Sequence, residues 1–264
     1  MDSRKTQEAT QRHTIASPRT IVLPLIVLLC LTLVTQLGSL AYTVEGSFLS
    51  VLGPSVFVLC VVTIPLATLG LFLGQRIGLG APLLTALLNR SPGWSRKLFL
   101  DARLAISLGL GFGVLLLLLR FAAEPYLPPE LSALGHRGAL GGLLVSISAA
   151  VGEEVWLRLG VLTVLAWIFV RLCGRLEIEP IVGWSTVVLS ALAFGLMHLP
   201  QLAESGAATP VGVVATIMGN TLVGMLFGWL YWRRSLIAAI LAHFAVDIVL
   251  HVLTAYTARL FLLP

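Results

Sequence analysis

Ionisable side chains interrupt three otherwise apolar runs of this sequence. Glu153, Glu154 and Arg158 lie in SAAVGEEVWLRLG, His198 lies in LSALAFGLMHLP, and His243, Asp247 and His251 lie in LAHFAVDIVLH. Inside hydrocarbon each such group costs about 2.5–3.5 kcal/mol on insertion scales, so its retention asks for a use. Carboxylates, imidazoles and a guanidinium together supply what water activation on a carbonyl needs: a base, a group that stabilises charge and a group that orients.

Helical spacing sorts these residues. Glu154 and Arg158 are four apart, share a face and can pair. Glu153 is rotated by about 100° from its neighbour, away from that pair. One carboxylate thus has a local partner, and the other, free in a low-dielectric setting, suits a general base. His243 and Asp247 have the same four-residue spacing, so the carboxylate can set the tautomer of the imidazole, and His251 continues the stripe one turn on. Phe194 and His198 share a face in the same way, with the ring walling one side of a histidine pocket. Each group alone has a plainer use: a packing ion pair, an interfacial histidine, polar glue between helices, or, for His251, contact with headgroups. The plain uses are harder to sustain for all three groups in one charge-poor chain.

The elements that must hold these residues follow from composition. The chain has 264 residues, of which 58% are hydrophobic and 11% charged. Soluble domains average about 45–50% apolar and about 25% charged residues. No Asp, Glu, Lys, Arg or His occurs over 20–44, 46–75 or 205–232, and each run meets the roughly 20 residues that a membrane-spanning helix requires. A soluble globule is excluded. Continuous apolar runs, in place of alternation, favour helices over a β-barrel. The fold class is therefore all-α, a polytopic bundle of about seven transmembrane helices with a short interfacial helix.

Spans are placed at 20–43, 49–73, 102–122, 138–172, 181–200, 210–232 and 235–258. The fourth exceeds one perpendicular crossing and must tilt, bend or break. Segment 79–90 (LGAPLLTALLNR) is too short to span and is assigned to the interface. Residues 1–19 are a polar, basic tail, and 20–264 form a single membrane domain. The run after the tail is too long for a signal-peptide core and reads as an uncleaved first span. With the N-terminus inside, basic residues gather in the inner connectors (1–19, 76–103, 171–175 and 233–234), and only Arg120, Arg137 and Arg259 fall outside. That asymmetry places the N-terminus in the cytoplasm of a multi-pass protein of the inner (plasma) membrane. The net charge of +5 belongs to these connectors, without the basic and aromatic interleaving of a nucleic-acid surface. Cys30, Cys60 and Cys173 lie in or beside apolar segments and show no metal or disulfide spacing.

Three ordered motifs carry a family resemblance. EEVWLR (Glu153, Glu154, Arg158) resembles the EExxxR motif of the CPBP family, which comprises type 2 CAAX prenyl proteases and bacterial Abi-type bacteriocin-processing and self-immunity proteins. FGLMH (Phe194, His198) is similar to its FxxxH motif, and HFAVD (His243, Asp247) to its usual HxxxN. The resemblance covers roughly 79–251, with its core at about 140–250. It implies an intramembrane endopeptidase, glutamate-type or metalloprotease-like, acting on a protein or peptide substrate at or in the lipid bilayer, with no nucleic-acid partner. It further implies that Glu153 activates water with help from His198, that Glu154 and Arg158 form a supporting pair, and that His243 and position 247 line an oxyanion site. Asp247 departs from the family's Asn: an ionised Asp cannot donate to an oxyanion, so it is either protonated or orients His243.

Glu153, His198 and His243 also form a donor set of the kind that holds catalytic zinc. The chain lacks HExxH, and the expectation is no tightly bound metal, with zinc as the alternative. Two other classes compete with the enzyme. One is a non-catalytic membrane scaffold or self-immunity factor of the same fold. The other is a small transporter, which predicts an inverted repeat that the sequence does not display.

Overall fold

The computed structural model describes residues 18–133 and 138–254, so most of the polar tail lies outside the described residues, as do Arg137 and Arg259. The elements are α1 (Pro18–Thr43), α2 (Phe48–Gly74), α3 (Pro82–Leu88), α4 (Trp94–Ala123), α5 (Pro129–Ala133), α6 (Gly138–Glu153), α7 (Thr163–Leu172), α8 (Pro180–Leu196), α9 (Leu199–Glu204), α10 (Pro210–Arg233) and α11 (Leu236–Asp247). A π-helical segment, Glu154–Leu162, joins α6 to α7, and a second, Ile248–Leu253, follows α11. The described residues contain no strand. Hydrocarbon offers no partner for a free N–H or C=O, and helices satisfy both within themselves.

Among the described residues seven helices are long and apolar enough to cross a membrane: Thr20–Thr43, Phe48–Gly74, Trp94–Tyr126, Gly138–Leu172, Pro180–Glu204, Pro210–Arg233 and Leu236–Leu253. The chain is a multi-pass membrane protein. Large apolar side chains such as Val34, Leu49, Phe57, Leu118 and Met218 point outward, as a surface wetted by lipid requires. The most buried spans are Gly138–Leu172, Leu236–Leu253 and Pro180–Glu204, the three that carry the unexpected ionisable residues.

α10 packs along α8, and α11 along α4. The closeness of the second pair is set by glycine. Added Cβ atoms at Gly109 and Gly113 would stand 2.5 Å from the Ala242 carbonyl and 2.9 Å from Val249 Cβ. Ser235 caps α11 by accepting from the Ala238 N–H at 3.2 Å, and Thr209 caps α10 by accepting from Gly212 at 3.1 Å.

One placement differs from the expectation. The third span begins at Trp94, not at 102. Its charged first turns read as a connector, yet Lys97 and Asp101 pair at 2.9 Å, and the Ser235 hydroxyl donates to the buried Asp101 at 2.9 Å. A carboxylate with two partners can sit inside a helix that a lone one would end. Segment 79–90 contains the seven-residue α3, too short to span, with Leu79, Ala81, Leu83 and Leu84 buried. The fourth span is continuous, and its long course is interrupted only by the π-helical widening.

Candidate active site

The site is built around the first π segment. A π-helix spends one extra residue per hydrogen-bonded turn, is rare, and clusters at functional sites. Here nine residues adopt it, from Glu154 to Leu162. Side chains help to hold it: Ser190 Oγ donates to the Leu157 carbonyl and Thr163 Oγ1 to the Arg158 carbonyl, each at 3.2 Å. From the far side α2 presses its backbone so closely that a Cβ at Gly70 would collide with the Leu159 carbonyl oxygen.

Glu154 and Arg158 are fully buried, with Nε 3.3 Å from Oε2. Arg158 Nη2 donates to the Gly224 carbonyl at 3.0 Å, which ties the motif to α10. The guanidinium carbon lies 4.7 Å from the Phe194 ring centre and 5.4 Å from that of Phe227. These two aromatic faces supply cation–π attraction where water is excluded.

The other oxygen of Glu154 turns to α11. Its Oε1 lies 2.9 Å from Nδ1 of His243, and a carboxylate accepts, so Nδ1 carries the proton. The His243 ring stacks on Phe227 at 4.5 Å with an interplanar angle of 14°, and meets Phe194 edge-on at 5.7 Å. Glu154, rather than Asp247, therefore holds the Nδ1–H of this histidine.

The Nε2 edge of His243 faces two further carboxylates. Asp247 Oδ2 is 3.6 Å away, and Glu153 Oε2 is 3.8 Å away. Glu153 is thus not isolated on a face of its own: tertiary packing brings it to the same imidazole as Glu154. The two adjacent carboxylates differ in access, since the Glu153 side chain is 17% exposed and that of Glu154 is sealed. His198 Nδ1 is 2.7 Å from the Phe194 carbonyl, so that nitrogen donates and Nε2 remains for another partner. Phe194 meets the His198 ring edge-on at 4.9 Å, so one phenyl ring touches both imidazoles. His251 Nε2 lies 4.0 Å from Asp247 Oδ1.

The structure thus gathers Glu153, Glu154 and Asp247 around the imidazole of His243, with Arg158 paired to Glu154 and His198 across Phe194. The sequence reading passed over Phe227 and Gly224, which carried no signal within the apolar run of α10. Asp101 lies before the span as the sequence places it and carries no signal of its own.

A family model, Type II CAAX prenyl endopeptidase Rce1-like, matches residues 136–249. Residues 136–249 are thus similar to this family. The CAAX protease match takes in EEVWLR, FGLMH and HFAVD and stops short of His251 and of the first three spans. No curated protein and no solved structure matched the chain. The CAAX protease family supports, at its own level, an intramembrane endopeptidase. Among the described residues no group of three or more His, Cys, Asp and Glu side chains is arranged to hold a metal ion.

Proposed function

We propose that this protein hydrolyses a peptide bond in a membrane-associated protein or peptide, with Glu153 as the base that activates water. The observation that carries this reading is the difference between neighbours: Glu154 is sealed and committed to Arg158 and His243, and Glu153, beside the same imidazole, is open. A base must reach its proton directly or through one water, and only the open carboxylate can.

Glu153 takes a proton from water, and the hydroxide attacks the scissile carbonyl carbon. The oxyanion forms beside Nε2 of His243, whose Nδ1–H is held by Glu154. With Nε2 protonated as well, His243 is an imidazolium whose Nε2–H is a preorganised donor, of the kind that removes several kcal/mol from an acyl-transfer barrier. Arg158 offsets the charge of Glu154, and Asp247 orients the Nε2 edge of His243. His198 Nε2 holds the water. The C–N bond then breaks, Glu153 returns its proton to the leaving amine, and a carboxylic acid and an amine depart, the acid passing its proton to the amine or to water. No step needs a metal, and no tightly bound metal is assigned. The chain sits in the plasma membrane with its N-terminus in the cytoplasm.

The test is cleavage by the purified protein in liposomes. Two peptide sets are used: peptides ending in a prenylated CAAX sequence, and unprenylated membrane-anchored peptides. Products are read by mass spectrometry. The reading expects cleavage that survives chelators and disappears in Glu153→Ala and His198→Ala. Unchanged cleavage in both variants contradicts it. Full biological complementation by Glu153→Gln would point instead to a scaffold or self-immunity role.

A further inference from the structure

A buried chain of hydrogen bonds runs from the α2–α3 turn to the backbone of the EEVWLR segment, and its direction is fixed. The Gly80 N–H donates to the Tyr231 hydroxyl at 2.9 Å. Tyr231 Oη and Thr163 Oγ1 are 2.6 Å apart, and Thr163 Oγ1 lies 3.2 Å from the Arg158 carbonyl. A carbonyl only accepts, so Thr163 gives its single hydroxyl proton to Arg158 and must accept from Tyr231. Tyr231 then gives its proton to Thr163 and accepts from Gly80. Each donor and acceptor in the row is used once. Both side chains are buried.

The end of the row matters most. Thr163 closes the π segment: its backbone N–H turns to the Gly160 carbonyl, and its side chain reaches Arg158, five residues back. Five residues is the spacing of a π-turn. The hydroxyl therefore holds the widened register at the residue whose guanidinium meets Glu154. An α-helical register there would rotate Arg158 and Glu154 relative to His243. Gly80 lies on the turn with φ +92, so segment 79–88 is joined to the site through one tyrosine.

We propose that Tyr231 and Thr163 are positioning residues: they clamp the π register of 154–162 and so hold Glu154 and Arg158 against His243. This rests on the Glu153-dependent hydrolysis proposed above. Tyr231→Phe, Thr163→Val, their combination and Thr163→Ser are compared in full-length protein, with kcat, KM and backbone amide exchange over 154–163 as readouts. Tyr231→Phe and Thr163→Val are each expected to lower kcat about tenfold, as one lost hydrogen bond allows, with KM unchanged. The double variant falls no further, because both remove the same chain. Thr163→Ser keeps the hydroxyl and keeps kcat. Exchange over 158–163 rises in the Phe and Val variants and stays at the wild-type rate in Thr163→Ser. Wild-type kcat in Tyr231→Phe, a multiplicative loss in the double variant, or a Thr163→Ser defect as deep as that of Thr163→Val overturns the clamp. If hydrolysis proves independent of Glu153, the hydrolysis reading fails by itself. Exchange then decides the clamp: a rise in the Phe and Val variants supports it and an unchanged pattern overturns it.

Discussion

Nδ1 of His243 and Oε1 of Glu154 stand 2.9 Å apart across 89 residues of sequence, and the other oxygen of the same carboxylate faces Arg158 at 3.3 Å. One sealed carboxylate thus joins the charge partner on its own helix to the imidazole of another. Glu154→Gln keeps the shape and removes the charge, leaving a buried guanidinium without its counter-ion. Loss of one member of such a pair costs about 3–5 kcal/mol. The variant should show a clearly lower thermal midpoint in detergent and little cleavage, and wild-type stability would contradict the role given to Glu154.

Phe227 lies flat against His243 and beneath Arg158. Phe227→Ala opens a cavity in a fully buried position and should cost about 3–5 kcal/mol. Phe227→Leu keeps most of the volume and loses the stack, about 0.5–1.5 kcal/mol, yet frees the imidazole to tilt. Its cleavage rate should fall more than its thermal midpoint suggests. Calorimetry and rate measurement on the two variants separate packing from alignment.

Gly224 gives its carbonyl to Arg158, and an added Cβ would lie 3.1 Å from Ala191 Cα and 3.2 Å from Phe194 Cδ1. Gly224→Ala should push α10 away from α8 and weaken activity. Gly219, on the same helix, has nothing within 4 Å of its Cβ position. Gly219→Ala should therefore be neutral or more stable by up to about 1 kcal/mol. Equal defects in the two variants would show that helix composition, and not the contact, is responsible.

Asp247 lies with Glu153 on the Nε2 side of His243. If it orients that edge, an acceptor is what the position needs. Asp247→Asn keeps an acceptor and should retain cleavage within about an order of magnitude, and Asp247→Leu removes it and should lose far more. An inactive Asn variant beside an active Leu variant would reverse this assignment.

Much of this was legible in the residues themselves. Long apolar runs mark the seven spans because hydrocarbon tolerates little else, and the four-residue spacings of Glu154 with Arg158 and of His243 with Asp247 are contacts that one helix makes alone. The start of α4 was hidden because Lys97 and Asp101 look like a connector until Ser235 arrives from another helix. The Glu154–His243 bond was hidden for a related reason. Helical rotation assigned Glu153 and Glu154 to separate surroundings, and tertiary packing around a π-widened turn brings both to one imidazole. Phe227 left no trace at all, since an aromatic residue within an apolar run carries no pattern of its own.

The central claim is that the open carboxylate of Glu153 activates the attacking water, and single-turnover cleavage by Glu153→Gln tests it most directly. The amide fills the same space and cannot accept the proton, so the chemical rate should fall by about 10²–10⁴-fold, with substrate binding and thermal midpoint close to wild type. A Glu153→Gln protein that cleaves at the wild-type rate would contradict the account.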